Sequence, residues 1–348
     1  MKSPYILLML AASALSLSGQ KTFSGPATGY VFDSVEHSIR AMVGVPGAAY
    51  LGSQPDSAPQ PSWDSVWVAP NGKRALGVSG LSVNLIPDLS QPASITSVAH
   101  VAGAISRIAW SGDSTAAAIW APAAGRLQRI TGLDSAPIVH DPIDLTALAG
   151  APSGWSLSPD GSYVALSSPA SGTASIYLSN QDTAPVLIGS LADPSTVVFS
   201  TDGASLFVLD RAERKILLLA LPSGAIAGSF DASFFAASGV AVTRPGIRGA
   251  VPGRLLAAPV VRDLAASADG ARLYAIGGNT LCAYDLPAGQ SPSCSDLEIT
   301  PASFQPMPGG LLLLNYLRSG NMPLWLLNGQ TGQTYFVPSG SMAADASF

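Results

Sequence analysis

The chain of 348 residues has a mass of 35.3 kDa, with 47% hydrophobic residues, 11% charged residues and a mean hydropathy of +0.34, a composition that excludes intrinsic disorder. With 17 Lys and Arg against 22 Asp and Glu, the formal net charge of -5 leaves no basic field to attract nucleic acid or an anionic membrane. Gly 35 and Pro 28 imply many turns, and all-β folds use chains of this length as one domain.

Residues 1–19 have the parts of a secretory leader. Met1 and Lys2 give a positive start, Tyr5 to Leu17 form an apolar run, and Ser16, Ser18 and Gly19 are small enough for cleavage after Ser18 or Gly19. A membrane span needs roughly 20 apolar residues, more than this run supplies, so the segment reads as a removable signal and not as a transmembrane anchor. The expected location is exported, periplasmic or extracellular. Residues 20–62 follow with three apolar extended runs, GYVFD (29–33), SIRAMVGV (38–45) and AAYLG (48–52).

From 63 to 338 one local grammar returns six times: WVAPNGKRALGVSG from Trp67, AWSGDSTAAAIWA from Ala109, SLSPDGSYVALSS from Ser156, VFSTDGASLFVLD from Val198, AASADGARLYAIGG from Ala265 and QPMPGGLLLLNYL from Gln305. The turn positions are Asn71, Asp113, Asp160, Asp202, Asp269 and Gly309, and a glycine follows each except Asp113, where Ser114 stands. Asn-Gly and Asp-Gly accept the positive φ that a tight hairpin turn demands, so these acids read as structural turn residues and not as catalytic ones. Apolar side chains five and three residues before the turn, such as Val197 and Phe199, have the period of a strand. Near-continuous apolar runs after it, such as LFVL (206–209), suit a strand covered on both faces. A third strand (ASIYLSN, 174–180; KILLLAL, 215–221) and a fourth (APVLIGSL, 184–191; AIAGSF, 225–230) complete a unit of about 40 residues, the size of a propeller blade. One blade alone cannot hide two apolar faces; radial packing hides both.

The expected fold is therefore all-β, a single β-propeller of four-stranded blades. The stretches SPDGSYVALSS, STDGASLFVLD and SADGARLYAIGGN resemble the bacterial secreted β-propellers of the WD40-like, TolB and YVTN groups, across roughly residues 60 to 338. That resemblance implies the architecture. It transfers no catalytic residue, because no motif here matches those of propeller enzymes. Seven blades are expected, with six as the alternative: residues 20–62 form a partial blade or complete a sheet with LWLLN (324–328) and TYFVP (334–338), and 339–348 are a C-terminal tail.

Two features interrupt the repeat. The 67-residue interval between Asp202 and Asp269 leaves 231–261 as an insertion that carries Arg244, Arg248 and Arg254, no acid between Asp231 and Arg262, and several Pro and Gly. Cys282 and Cys294, the two cysteines of the chain, fall on neighbouring predicted strands; in an exported protein they are expected to form a disulfide, the alternative being two reduced buried thiols.

Catalytic motifs are missing: there is no Gly-x-Ser-x-Gly, phosphate-cradling glycine loop, Cys-x-x-Cys or His-Glu-x-x-His. His37, His100 and His140 belong to three different putative blades, and Asp134, Asp141 and Asp144 lack the spacing of a calcium loop, so neither group is expected to hold a metal and no cofactor is predicted. In a propeller the repeated turns lie on one rim, and the loops leading into the innermost strands lie on the other, at the channel mouth. Six or seven residues before each turn, that mouth receives the charges Asp64, Arg107, Arg262 and Asp263, and the insertion opens onto the same rim. The expected function is that of a monomeric exported binding or scaffold protein recognising a protein or carbohydrate of the cell envelope. Ion pairing between blades and a propeller hydrolase of the lactonase kind are the competing readings of that rim.

Overall fold

The computed structural model describes residues 26–52, 62–90, 94–146, 148, 151–168, 174–180, 183–236, 261–286, 291–316 and 322–338. Its strands form seven antiparallel sheets that follow chain order. Blade 1 is β1 (Ala27–Asp33), β2 (Ser38–Val43) and β3 (Tyr50–Leu51). Blade 2 is β4 (Ser65–Val68), β5 (Ala75–Ser79), β6 (Ser82–Ile86) and β7 (Thr96–His100). Blade 3 is β8 (Arg107–Trp110), β9 (Ala117–Ala121) and β10 (Arg126–Thr131), with an outer strand broken into β11 (Ile138–Val139) and β12 (Ile143–Asp144), both paired to β10. Blade 4 is β13 (Gly154–Leu157), β14 (Tyr163–Ser168), β15 (Ala174–Asn180) and β16 (Val186–Leu191). Blade 5 is β17 (Pro194–Phe199), β18 (Ser205–Asp210), β19 (Lys215–Ala220) and β20 (Ala225–Asp231). Blade 6 is β21 (Val261–Ala266), β22 (Arg272–Gly277), β23 (Thr280–Asp285) and β24 (Ser293–Asp296), and blade 7 is β25 (Gln305–Met307), β26 (Leu311–Leu313), β27 (Leu324–Asn328) and β28 (Thr334–Val337).

The hydrophobic material is partitioned between blades. Leu76 and Val83 of blade 2 pack on Ile108 and Ile119 of blade 3, and Phe207 and Leu209 of blade 5 pack on Leu264 and Leu273 of blade 6. Equivalent clusters fill the other interfaces, including the seam where Val31, Met42 and Leu51 of blade 1 meet Leu313, Leu326 and Val337 of blade 7. Every blade thus has two partners, the ring closes, and the fold is a seven-bladed β-propeller. Second strands face two neighbours at once, which is why β9 is buried at every position and β14, β18 and β22 at all but the first. β27 and β28 stay in their own sheet. The seam is closed by face-to-face packing and by the Leu51 amide donating to the Pro338 carbonyl at 3.3 Å, not by a strand shared from that sheet.

The repeated turns share one hydrogen-bond circuit. In blade 4 the Ser158 hydroxyl donates to Asp160 Oδ1 at 2.6 Å and accepts the Tyr163 amide at 2.9 Å, while Asp160 Oδ1 accepts the Ser162 amide at 3.0 Å. Ser111 with Asp113, Ser200 with Asp202, and Ser267 with Asp269 repeat it. The serine hydroxyl is the main cause that holds Asp160, Asp202 and Asp269 below the ordinary carboxylate value. Ser114 takes φ 64 where the other copies use glycine, and its hydroxyl accepts the Asn71 amide at 3.0 Å. Blade 7, which lacks the acid, turns through Gly309 and Gly310 at φ 73 and 72.

Cys282 and Cys294 stand directly opposite each other on β23 and β24 and form a disulfide. Among the described residues no helix is long and apolar enough to cross a membrane.

Candidate functional site

The first strand of each blade from the second to the seventh ends at a repeated turn, so its start lies on the opposite rim, together with the loops that join second to third strands. All four charged positions read from the sequence lie at that mouth, with different surroundings. Asp64 is exposed, and its Oδ2 accepts the Gly80 amide at 2.7 Å, which ties the lead into β4 to the β5–β6 turn of the same blade. Arg262 is exposed at the start of β21. Arg107 begins β8 and lays its guanidinium over the ring of Trp155, the carbon 5.1 Å from the ring centroid. A cation held over an aromatic face keeps its charge while its stem is fixed, an interaction of about 0.5–2 kcal/mol.

Asp263 differs from the others. It is half-buried, near the start of β21. Its Oδ1 accepts the Leu264 amide at 2.9 Å, and Oδ2 accepts the Phe304 amide of blade 7 at 2.8 Å. Burial raises its pKa above the ordinary carboxylate value; the positive charge of Arg107 and the two amides act in the opposite sense and are outweighed. Arg107 and Asp263 belong to blades 3 and 6, on opposite sides of the ring, so their interaction spans the channel mouth. Among the described residues no ion pair within 4.0 Å joins any two of the four mouth charges. Such an arrangement offers a fixed cation, a carboxyl biased toward its protonated form, and an exposed second arginine.

Arg244, Arg248 and Arg254 lie outside the described residues, as do residues 1–19. The ends of the insertion do not: β20 finishes and β21 begins on the mouth rim. The histidines stay apart. His37 Nδ1 lies 2.8 Å from the Trp63 carbonyl, His140 Nε2 lies 2.8 Å from Thr131 Oγ1, and His100 ends β7. Asp144 caps its own turn by accepting the Thr146 amide and hydroxyl at 2.9 and 2.6 Å. Among the described residues no three His, Cys, Asp or Glu side chains cluster as metal donors would.

Trp155, read from the sequence only as a core strand residue, is the platform under Arg107; its signal was a lone Trp at a position otherwise held by Val, Ile, Leu or Phe. Tyr316, exposed at the mouth, bonds the Ser303 hydroxyl and was also missed. So was the exposed pair Arg211–Asp193, 2.8 Å apart on the same rim.

No protein-family model matches the chain, and no curated protein does. Among solved structures it is similar to a functionally unknown protein from Desulfotomaculum acetoxidans, at 13% identity over 90% of this chain and 95% of that one, with a TM-score of 0.56. A protein from Lactobacillus plantarum is similar at 14% identity over 90% and 96%, TM-score 0.57. Virginiamycin B lyase from Staphylococcus aureus is similar at 16% identity over 78% and 83%, TM-score 0.51. At such identities the likeness is one of fold.

Proposed function

We propose that this is an exported propeller that binds a protein or carbohydrate of the cell envelope through its mouth rim, using Arg107, Arg262 and Asp263, with Asp64 and the arginines of the insertion, Arg244, Arg248 and Arg254, at its border. The observation that carries this reading is the exposed guanidinium of Arg107, fixed over the Trp155 ring at the mouth, with the exposed Arg262 on the same rim. In a chain with 11% charged residues, exposed arginines with no carboxylate within 4.0 Å among the described residues are available to a ligand in a way that a closed ion pair is not. The disulfide and the leader-like N-terminus support export. The test is a comparison of envelope components retained by the wild-type domain and by an Arg107→Ala, Arg262→Ala variant of equal melting temperature. A component held by the first and released by the second is expected; identical retention would refute the proposal. Export is read independently, as a mass for the secreted protein that lacks the first 18 or 19 residues.

A second reading, a propeller hydrolase, has one observation in its favour. Asp263 is biased toward the protonated form that a general acid needs. One similar fold, the lyase, is also an enzyme. Turnover of lactone or ester substrates that is abolished by Asp263→Asn would favour it over binding alone.

A further inference from the structure

The outer wall of the ring is uneven in what it shows to solvent. Guards against strand addition mark the last strands of three blades: β7 ends in His100, β11 and β12 are broken around Pro142, and β24 spans four residues ending in Asp296. β16 has none of these. No charged residue stands between Asp182 and Asp193, the stretch that contains β16, or between Lys215 and Asp231, which covers β20 up to its last residue. Val186 and Leu187 on β16 and Ile226 on β20 are 60%, 53% and 61% exposed. The two strands also meet. Ile188, skipped by the β15–β16 ladder, has its carbonyl against the β19–β20 turn, where a Cβ on Gly224 would lie 1.9 Å from the oxygen.

Residues opposite each other in a ladder share a face of the sheet, and the apolar clusters identify each face. Val186 is opposite Leu178 and Ile226 is opposite Leu219; both partners belong to the cluster between blades 4 and 5, so Val186 and Ile226 line the two sides of one groove. Tyr163, exposed and two residues before Ala165 of that cluster, is on the same side of blade 4 as Val186. Leu187 is opposite Tyr177, which packs on the cluster between blades 3 and 4, and so faces the other way. Ile138 is 59% exposed and opposite Thr131, on the face of β10 away from Ile130; because Ile130 belongs to the cluster between blades 2 and 3, Ile138 faces blade 4. The outer strand of blade 4 is thus an apolar ridge between two apolar grooves.

We propose that this wall meets the same wall of a second copy across a two-fold axis, each ridge lying in a groove of its partner, so that the protein is a dimer in place of the monomer expected from the sequence. A two-fold interface must match itself, and a ridge beside a groove does so. Ile138, Tyr163, Val186, Leu187 and Ile226 each leave about half of their surface exposed, and at roughly 150–250 Å² for a large side chain they offer roughly 500 Å² of apolar area. That is the upper range for a patch on a monomer, and it equals the apolar share of the ~800 Å² that each partner of a stable pair buries. A membrane surface would call for Lys or Arg beside the patch, and an unlike partner would be steered by charge; β16 and the β19–β20 hairpin from Ile216 to Phe230 supply neither. Val186, Ile226, Ile138 and Tyr163 all stand at or next to the start of strands that rise from the rim of the repeated turns, so pairing there leaves both mouths open.

Sedimentation velocity over a concentration series of the purified protein tests this. The wild type should sediment at twice the chain mass, and a variant carrying Val186→Lys and Ile226→Lys should raise the dissociation constant at least about thirty-fold at an unchanged melting temperature, since both side chains are exposed. Leu187→Glu, on the other face of the ridge, should do the same and keeps the test decisive if the double variant misfolds. Phe336→Lys, at a 58% exposed position on β28 of blade 7, should leave the dimer intact. A wild type of single mass at every concentration would overturn the proposal, as would a dimer that survives both β16 variants or one broken equally by Phe336→Lys. Monomeric wild type that co-sediments with phosphatidylcholine vesicles, and loses them on Val186→Lys, would give the wall to lipid instead.

Discussion

Replacing Gly154 by alanine tests the tightest contact in the ring. Gly154 opens β13, and a Cβ there would lie 2.0 Å from the Ser195 carbonyl oxygen of the neighbouring β17 and 3.1 Å from Ser167 Oγ. The obstacle is backbone, so one inner strand must move by more than about 1 Å to reach ordinary van der Waals distance. That movement also strains the Ser167 hydroxyl, which bridges the Gly154 and Ser195 carbonyls at 3.2 Å each, and the Ser153 hydroxyl, which donates to the Pro194 carbonyl at 3.0 Å. Overpacking costs about 1–3 kcal/mol and a weakened buried hydrogen bond about 1 kcal/mol more. At a few degrees per kcal/mol, the melting temperature should fall by about 5–10 °C. Gly189→Ala on the outer strand β16 is the control, since nothing lies within 4 Å of its Cβ position and its φ is not positive. It should change stability by less than about 1 kcal/mol. Equal melting temperatures for the two variants in calorimetry would refute the close approach of blades 4 and 5.

Three further outcomes are expected. Because Arg107 lowers the pKa of Asp263 against a larger effect of burial, Arg107→Ala should raise it further, seen as an upward shift of the Asp263 carboxyl titration by NMR; no shift would mean the two charges are not coupled. Asp160, Asp202 and Asp269 have folded pKa values below their unfolded ones, so their stabilisation is present above about pH 4 and lost as pH falls through the folded values. Denaturant midpoints from neutral to acid pH should therefore drop less steeply for Asp202→Asn than for the wild type, and parallel curves would count against the turn circuit. Replacing Cys282 and Cys294 by serine, 12 residues apart, should cost up to about 3 kcal/mol in the chain-entropy model, with the exchange of residues 293–296 most affected; chemical denaturation and exchange together would show it.

The blades from the second to the seventh were legible because turn chemistry and apolar period agree. ASIYLSN and LWLLN are β15 and β27 residue for residue, and strand ends elsewhere differ by one or two positions. Legibility failed where one cue stood without the other. Blade 1 has the apolar runs but no Asp-Gly turn among its strands, so the sequence could not phase it, although Asp33 and Asp210 share a pattern of an acid closing an apolar strand. The outer strand of blade 3 is broken between Val139 and Ile143 around Pro142, which has no amide to give the ladder. At the mouth, counting back from the turns located Arg107 and Asp263, because register is fixed along a strand. The Phe304 amide on Asp263 and the Trp155 platform depend on which faces of different blades meet, and that is set by the ring and not by any local run of residues.

Among the described residues each of the seven apolar clusters is wedged between two sheets. The apolar side chains of these clusters are thus shared out between neighbouring sheets, unlike a sandwich, where two sheets enclose a single common layer. Rim and seam are therefore not independent: Asp263 takes the Phe304 amide of the next blade and Trp155 under Arg107 belongs to the cluster between blades 3 and 4, so a substitution at either alters the opening and a junction together.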